Sequence, residues 1–207
     1  MCNKILLTVF LISLLGLFAC SDQHELPFLG PKTLNASGDT VYHQIPAFRF
    51  LNQDSIWVTE KDMAGKIYVA DFFFTTCPTI CPKMKTQLLR IYERYATNDA
   101  VRILSHSIDP EFDNVSVLRD YANKLHVAAP RWNLVTGDKK AIYTMARKSY
   151  LAVKQGKPEE QYDMVHTENF VLVDSQKQVR GFYDGTKKEE VKKLIEDIQW
   201  LLTEDKN

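Results

Sequence analysis

The stretch from Ile67 to Met84 limits the possible folds more than any other part of the chain. Ile67 to Phe74 is β-branched and aromatic, with Asp71 as its one charge. Such a run suits a central strand covered on both faces. It passes straight into Thr75-Thr76-Cys77-Pro78-Thr79-Ile80-Cys81-Pro82, followed by Met84, Leu88, Leu89, Ile91 and Tyr92 at helical spacing. The helix is expected to start after Pro82, whose missing N–H is harmless in a first turn. A thiol at a helix start feels the positive end of the helix dipole, which favours the thiolate. Thiolate binds soft metals and attacks disulfides, so Cys77 and Cys81 read as a reactive pair.

The rest of the chain alternates in the same way. Ile45 to Leu51 and Ser55 to Val58 read as two strands joined by a turn at Asn52-Gln53-Asp54. Val101 to Ile108 suits a second interior strand, ended by Asp109-Pro110. Helices are expected from about Asn114 to Leu125 and after Asp138, with a short strand at Trp132 to Val135 between them. Tyr150 to Met164 lacks a period and reads as a functional excursion or a mobile flap. Strands at Val165–Asp174 and Val179–Tyr183 and a helix from Lys187 to Leu202 close the chain. This order indicates a layered α/β domain with a mixed central sheet and an N-terminal hairpin. A cysteine pair between an interior strand and its helix places that domain in the thioredoxin class.

The first 20 residues differ from the rest. Lys4 is their one charge, and an apolar run of about 14 residues follows, right for a signal-peptide core and short for a membrane span. The run ends in Leu17-Phe18-Ala19-Cys20 and resembles a bacterial lipobox, in which the Cys carries lipid. The expected division is a lipoprotein signal peptide at 1–20, a flexible tether at 21–44 and a folded domain at 45–207. The tether assignment rests on Pro, Gly, Asn, Ser and Asp without apolar periodicity. Either lipidation or an uncleaved anchor tethers the protein outside the cytoplasm, facing the periplasm. Cys2 leaves with the signal peptide, so Cys77 and Cys81 are the remaining free thiols. A bridge between cysteines four apart closes almost no chain, so the pair is no structural staple. Lys plus Arg and Asp plus Glu both total 26, which leaves no basic footprint for nucleic acid.

Three segments carry a family resemblance. Phe72 to Pro82 resembles the Cys-Pro-x-x-Cys-Pro signature of the Sco/SenC family. Ser107-Ile108-Asp109-Pro110-Glu111-Phe112-Asp113 resembles a second signature, and Val165-His166-Thr167 resembles the downstream His segment. The matches run from about Pro46 to Gly185, in order. The resemblance implies a thioredoxin-like domain that binds one copper, Cu(I) or Cu(II), through Cys77, Cys81 and His166. It also implies a role in building the dinuclear copper centre of cytochrome c oxidase. The implied partner is the oxidase's copper-bearing subunit, and a periplasmic thiol reductant is a second candidate. Two positions depart from the pattern: Val165 precedes the His where Asp is common, and Asn114 follows Asp113 where Thr is common.

Chemistry supports the ligand set. Two thiolates and an imidazole select soft ions and extend to Cu(II). Three protein ligands leave a position open, as a carrier requires. Thioredoxin-type reductases place a cis-Pro before the strand facing the cysteines, whereas here no Pro follows Pro158. A rival reading uses Cys77 and Cys81 as the catalytic redox pair of a thiol–disulfide oxidoreductase. A peroxidase is disfavoured, because Pro78 and Phe74 stand where a Thr is wanted three before each Cys. A copper-responsive signalling protein is a further alternative. Met84 and the Phe72–Phe74 set read as core, His106 as a satisfied core residue, Glu168 as solvated. His24, His43 and His126 read as exposed. Asp71 is either a buried carboxylate near the thiols or a charge at the strand edge.

Overall fold

The structure is a computed structural model in which residues 25–152 and 167–204 are described. The signal-peptide and Cys20 expectations lie outside those residues, as do His24, Val165 and His166.

A small hairpin, β1 (Lys32–Leu34) and β2 (Thr40–Tyr42), precedes the main sheet. The main sheet holds β3 (Arg49–Asn52), β4 (Trp57–Thr59), β5 (Ile67–Phe73), β6 (Val101–Ser107), β7 (Trp132–Thr136), β8 (Asn169–Val173) and β9 (Val179–Asp184). Their order is β4-β3-β7-β6-β5-β8-β9. The β5–β6 and β6–β7 pairs are parallel and the others antiparallel, as expected of a mixed sheet. The helices are α1 (Ile80–Arg94), α2 (Val115–Leu125), α3 (Lys139–Thr144) and α4 (Lys188–Glu204), with a π-helical turn, Met145–Ser149, continuing α3. Among the described residues no helix is long and apolar enough to cross a membrane.

Period-two alternation sorts β5 into two cores. Ile67, Val69 and Phe73 face a cluster with Met84, Leu88 and Ile91 of α1, Leu118 of α2 and Val191, Leu194 and Ile198 of α4. Tyr68, Ala70 and Phe72 face the other cluster, with Phe48, Phe50, Ile142 and Met145. Every residue of β5 is buried, which accounts for its nearly unbroken apolar run. Asp71 shares the parity of Val69 and Phe73, so its carboxyl is on the α1 face. His106, paired in register with Phe72, belongs to the opposite layer.

Three expectations about the elements and the core differ from the structure. Helix α1 begins at Ile80, two residues before Pro82, so Cys81 belongs to its first turn. Proline is tolerated there because first-turn N–H groups have no intrahelical partner.

Second, within the segment read as tether at 21–44, Leu26 to Leu29 pack on the domain. Leu26 is buried, and Leu29 bridges to Val179. The cause is Arg180, whose guanidinium donates to Leu26 O at 2.8 Å, Pro27 O at 3.3 Å and Asp174 Oδ2 at 3.0 Å. Phe28 lies over it at 4.2 Å. Composition without periodicity carries no trace of a partner some 150 residues away.

Third, His106 is buried in the core, but its ring nitrogens have no hydrogen-bond partner among the described residues. It stacks on Phe72 at 5.1 Å and meets Tyr150 at 5.3 Å and Phe50 at 5.5 Å edge-on. Burial pushes its pKa down to about 3, partly offset by the backbone of Asp71 and Leu104.

Candidate metal and dithiol centre

Cys77 lies in the loop between β5 and α1, and Cys81 lies one helical turn further on. Both are unbridged and largely buried, with relative exposures of 9% and 6%. The Cys77 N–H donates to Phe74 O at 3.2 Å, closing a turn that folds the loop back on the strand end. Thr79 stands at the N-cap of α1 without a side-chain cap. The free N–H groups there are partly met by sulfur instead. Thr79 Oγ1 lies 4.0 Å from Cys77 Sγ, and hydrogen bonding by the Cys81 thiol and by the Thr79 and Cys81 backbone favours the Cys77 thiolate.

These contacts split the pair. Burial alone would raise the Cys77 pKa, but the donors together outweigh it and bring the thiol down to about 7. Cys81 is pushed up to about 12 by burial, by donating to Cys77, and by the charges of Cys77 and Asp71, against a lowering contact with the Phe74 backbone. Cys77 is therefore the sulfur that ionises first, with Cys81 as the thiol beside it.

Behind Cys81 lies a cavity of about 20 Å³, lined by Asp71, Met84, Lys85, Ser105, Tyr121 and Trp132 among others. It is large enough for about one water. Asp71 proves to be a buried carboxyl near the thiols: burial lifts its pKa to about 7, and a hydrogen bond from Ser105 Oγ lowers it in part. Trp132 Nε1 donates to Ser105 Oγ at 2.9 Å. Met84 packs in the core, as expected. Glu168 and His126 are exposed, whereas His43 is half-buried and its Nε2 lies 2.6 Å from Ser149 O.

His166 lies outside the described residues. The strand that follows it can be placed. β8 pairs antiparallel with β5 in the register Tyr68↔Val173, Val69↔Leu172 and Ala70↔Val171. Its first residues therefore stand at the end of β5 that enters the cysteine loop.

Sequence reasoning missed Ser105, Trp132 and Asp113. Ser105 pairs with Asp71 across two parallel strands, a relation visible only once the register is known. Asp113 falls within a quoted motif, yet nothing local shows that it reaches the cysteine loop.

Residues 37–203 match the family described as SCO1/SenC. The chain belongs to the SCO1/SenC family. A relative described as a SCO1 protein homolog from Bacillus subtilis is 32% identical over 163 residues, covering 78% of this chain and 84% of the relative. Three solved structures are similar. A SCO1/SenC family lipoprotein from Bacillus anthracis has a TM-score of 0.67 at 28% identity, covering 77% of this chain and 95% of that one. BsSco, described as a member of the Sco family of cytochrome c oxidase assembly proteins, has a TM-score of 0.66 at 32% identity, covering 78% and 94%. Arabidopsis thaliana ScoI with copper bound has a TM-score of 0.60 at 28% identity, covering 75% and 98%. Family and fold agree with the layered thioredoxin-like domain described above.

Proposed function

We propose that this Sco-family protein is a copper metallochaperone for assembly of the cytochrome c oxidase copper centre, holding one copper as cargo through Cys77, Cys81 and His166. The observation that carries the reading is the adjacent pair of unbridged sulfurs at the start of α1, one of them with a pKa near 7. A soft ion replacing the proton between the two sulfurs gains a thiolate already formed and a second one close by. The β8 register supports the third ligand, because it brings the chain just after His166 to the end of the sheet from which the cysteine loop leaves. Copper-bound relatives support the cargo.

The test is a copper titration of the reduced protein with absorption spectra, repeated for Cys77→Ser, Cys81→Ser and His166→Ala. One copper per chain with sulfur-to-Cu(II) charge-transfer bands is expected, and each variant weakens binding. Wild-type affinity in all three variants would remove the site assignment. Delivery is tested in a deletion strain, where oxidase activity returns with the wild-type gene and not with Cys77→Ser. Lipidation at Cys20, which would place the protein at the cell envelope facing the periplasm, is tested by fatty-acid labelling lost in Cys20→Ser.

The split between Cys77 and Cys81 also favours a second reading, a membrane-tethered thiol–disulfide oxidoreductase. The Cys77 thiolate attacks one sulfur of a partner disulfide, expelling the other as thiolate and forming a mixed disulfide. Cys81 then loses its proton and attacks Cys77 Sγ, expelling the partner's remaining sulfur as thiolate and leaving a Cys77–Cys81 disulfide and a partner reduced by two electrons. A periplasmic thiol reductant would restore the pair. Disulfide reduction that survives His166→Ala favours this reading, and its absence in wild type ends it.

A further inference from the structure

Asp113 is completely buried and takes no part in the chemistry above. Its carboxylate gathers three donors. One oxygen accepts the Thr75 hydroxyl. The other accepts the Thr75 N–H at 3.1 Å and the Ser107 hydroxyl at 2.6 Å. Ser107 Oγ accepts the Asp109 N–H at 3.1 Å, and the Asp113 N–H returns to Asp109 O at 2.8 Å. These bonds join the loop after β5 to the loop after β6. They add to the strand-end bond from Ile108 N–H to Phe73 O at 2.8 Å.

Thr75 stands two residues before Cys77, inside the Phe74–Cys77 turn. Holding its N–H and its hydroxyl fixes the direction in which that turn leaves the sheet. The direction decides whether Cys77 Sγ meets the N–H groups at the α1 start and the Cys81 sulfur. We propose that Asp113 is the positioning residue for the Cys77–Cys81 pair, acting through Thr75. A carboxylate suits the place because it offers acceptors alone to three converging donors, whereas an amide turns an NH₂ toward one of them. The inference rests on the two sulfurs being used as a pair. It is tested without metal, so a failed copper titration leaves the test intact.

The experiment equilibrates the metal-free protein with glutathione buffers well below its melting temperature and measures the effective concentration of one sulfur toward the other. Two thiols give two protons and two electrons to glutathione disulfide, yielding the Cys77–Cys81 disulfide and two glutathiones. Thr75→Val, which removes the hydroxyl, is expected to lower the effective concentration about tenfold, by displacing the turn. Thr75→Ser is expected to return it to within about twofold of wild type. Asp113→Asn is expected to fall below wild type, and the Thr75 pair decides the matter if that variant does not fold. Thermal midpoints are measured alongside. A Thr75→Val protein that keeps the wild-type effective concentration overturns the proposal, whether or not it melts lower. A Thr75→Ser protein as impaired as Thr75→Val also overturns it.

Discussion

Trp132 donates its indole N–H to Ser105 Oγ at 2.9 Å, and this leaves the Ser105 proton free for the buried carboxyl of Asp71. The three groups form one polar chain inside an apolar layer, directly behind Cys81. Its cost depends on pH. The Asp71 pKa rises from an ordinary 3.8 to about 7 on folding, with burial as the main cause. Between those values the unfolded chain loses the proton while the folded chain keeps it. Stability therefore falls as pH rises from about 4 to about 7 and levels off above. Asp71→Asn, which still accepts from Ser105, is expected to lack this slope and to be more stable at pH 8 by a few kcal/mol, on the order of the linkage term. Urea denaturation at several pH values checks it.

The sulfur pair has its own pH signature. With its pKa brought from an ordinary 9.0 down to about 7, Cys77 is expected to alkylate at about half its limiting rate at neutral pH. Cys81, pushed up to about 12, is expected to stay nearly inert until Cys77 is blocked. Iodoacetamide rates for Cys77→Ser and Cys81→Ser measured against pH separate the two. Cys77→Ser also removes the thiolate charge that helps to raise Cys81, so the Cys81 thiol is expected to titrate below its value in the native pair.

His106 gives the opposite slope from the other layer. Its pKa falls from 6.5 to about 3 in the folded chain because burial disfavours the imidazolium. The unfolded chain binds a proton as pH drops below 6.5 and the folded chain does not, so stability declines from about pH 6.5 toward pH 3. Replacing the ring with Phe removes two buried nitrogens without partners. His106→Phe is expected to stabilise by about 1 kcal/mol at pH 7 and by about 2 kcal/mol more at pH 5. Denaturant midpoints at the two pH values measure the difference.

The sequence identified the elements near the sulfurs well because each carries a local signal. β5 is apolar at every position but one, and Asn114 and Asp138 cap their helices through side chains that accept from the next turn. What was not legible depends on residues far apart in the chain. Arg180 orders Leu26 and Pro27 across more than 150 positions, and Asp113 reaches back 38 positions to Thr75. The missing hydrogen bonds of His106 follow from the aromatic rings that surround it, drawn from β3, β5 and the segment after the π-helical turn.

Arg180 is the clasp for that N-terminal segment and is almost wholly buried with Asp174. Arg180→Met leaves the Asp174 charge buried without its partner and is expected to cost roughly 3 kcal/mol. Trypsin cleavage at Lys32 is expected to quicken at the same time, because the contacts to Leu26 O, Pro27 O and Phe28 are lost together. Arg180→Lys restores the charge but not the planar fork that reaches two carbonyls, so its cleavage rate is expected to lie between the two. Limited proteolysis with denaturation curves separates loosening of the segment from global unfolding.

The alternation of β5 sets how this region can change over evolutionary time. Inserting or deleting one residue between Val69 and Phe73 would exchange the two layers. A carboxyl would enter the aromatic cage around the imidazole, and a phenyl ring would stand behind the sulfur. Point substitutions can drift there one contact at a time, but a change of length by one would reverse both sides of the sheet together.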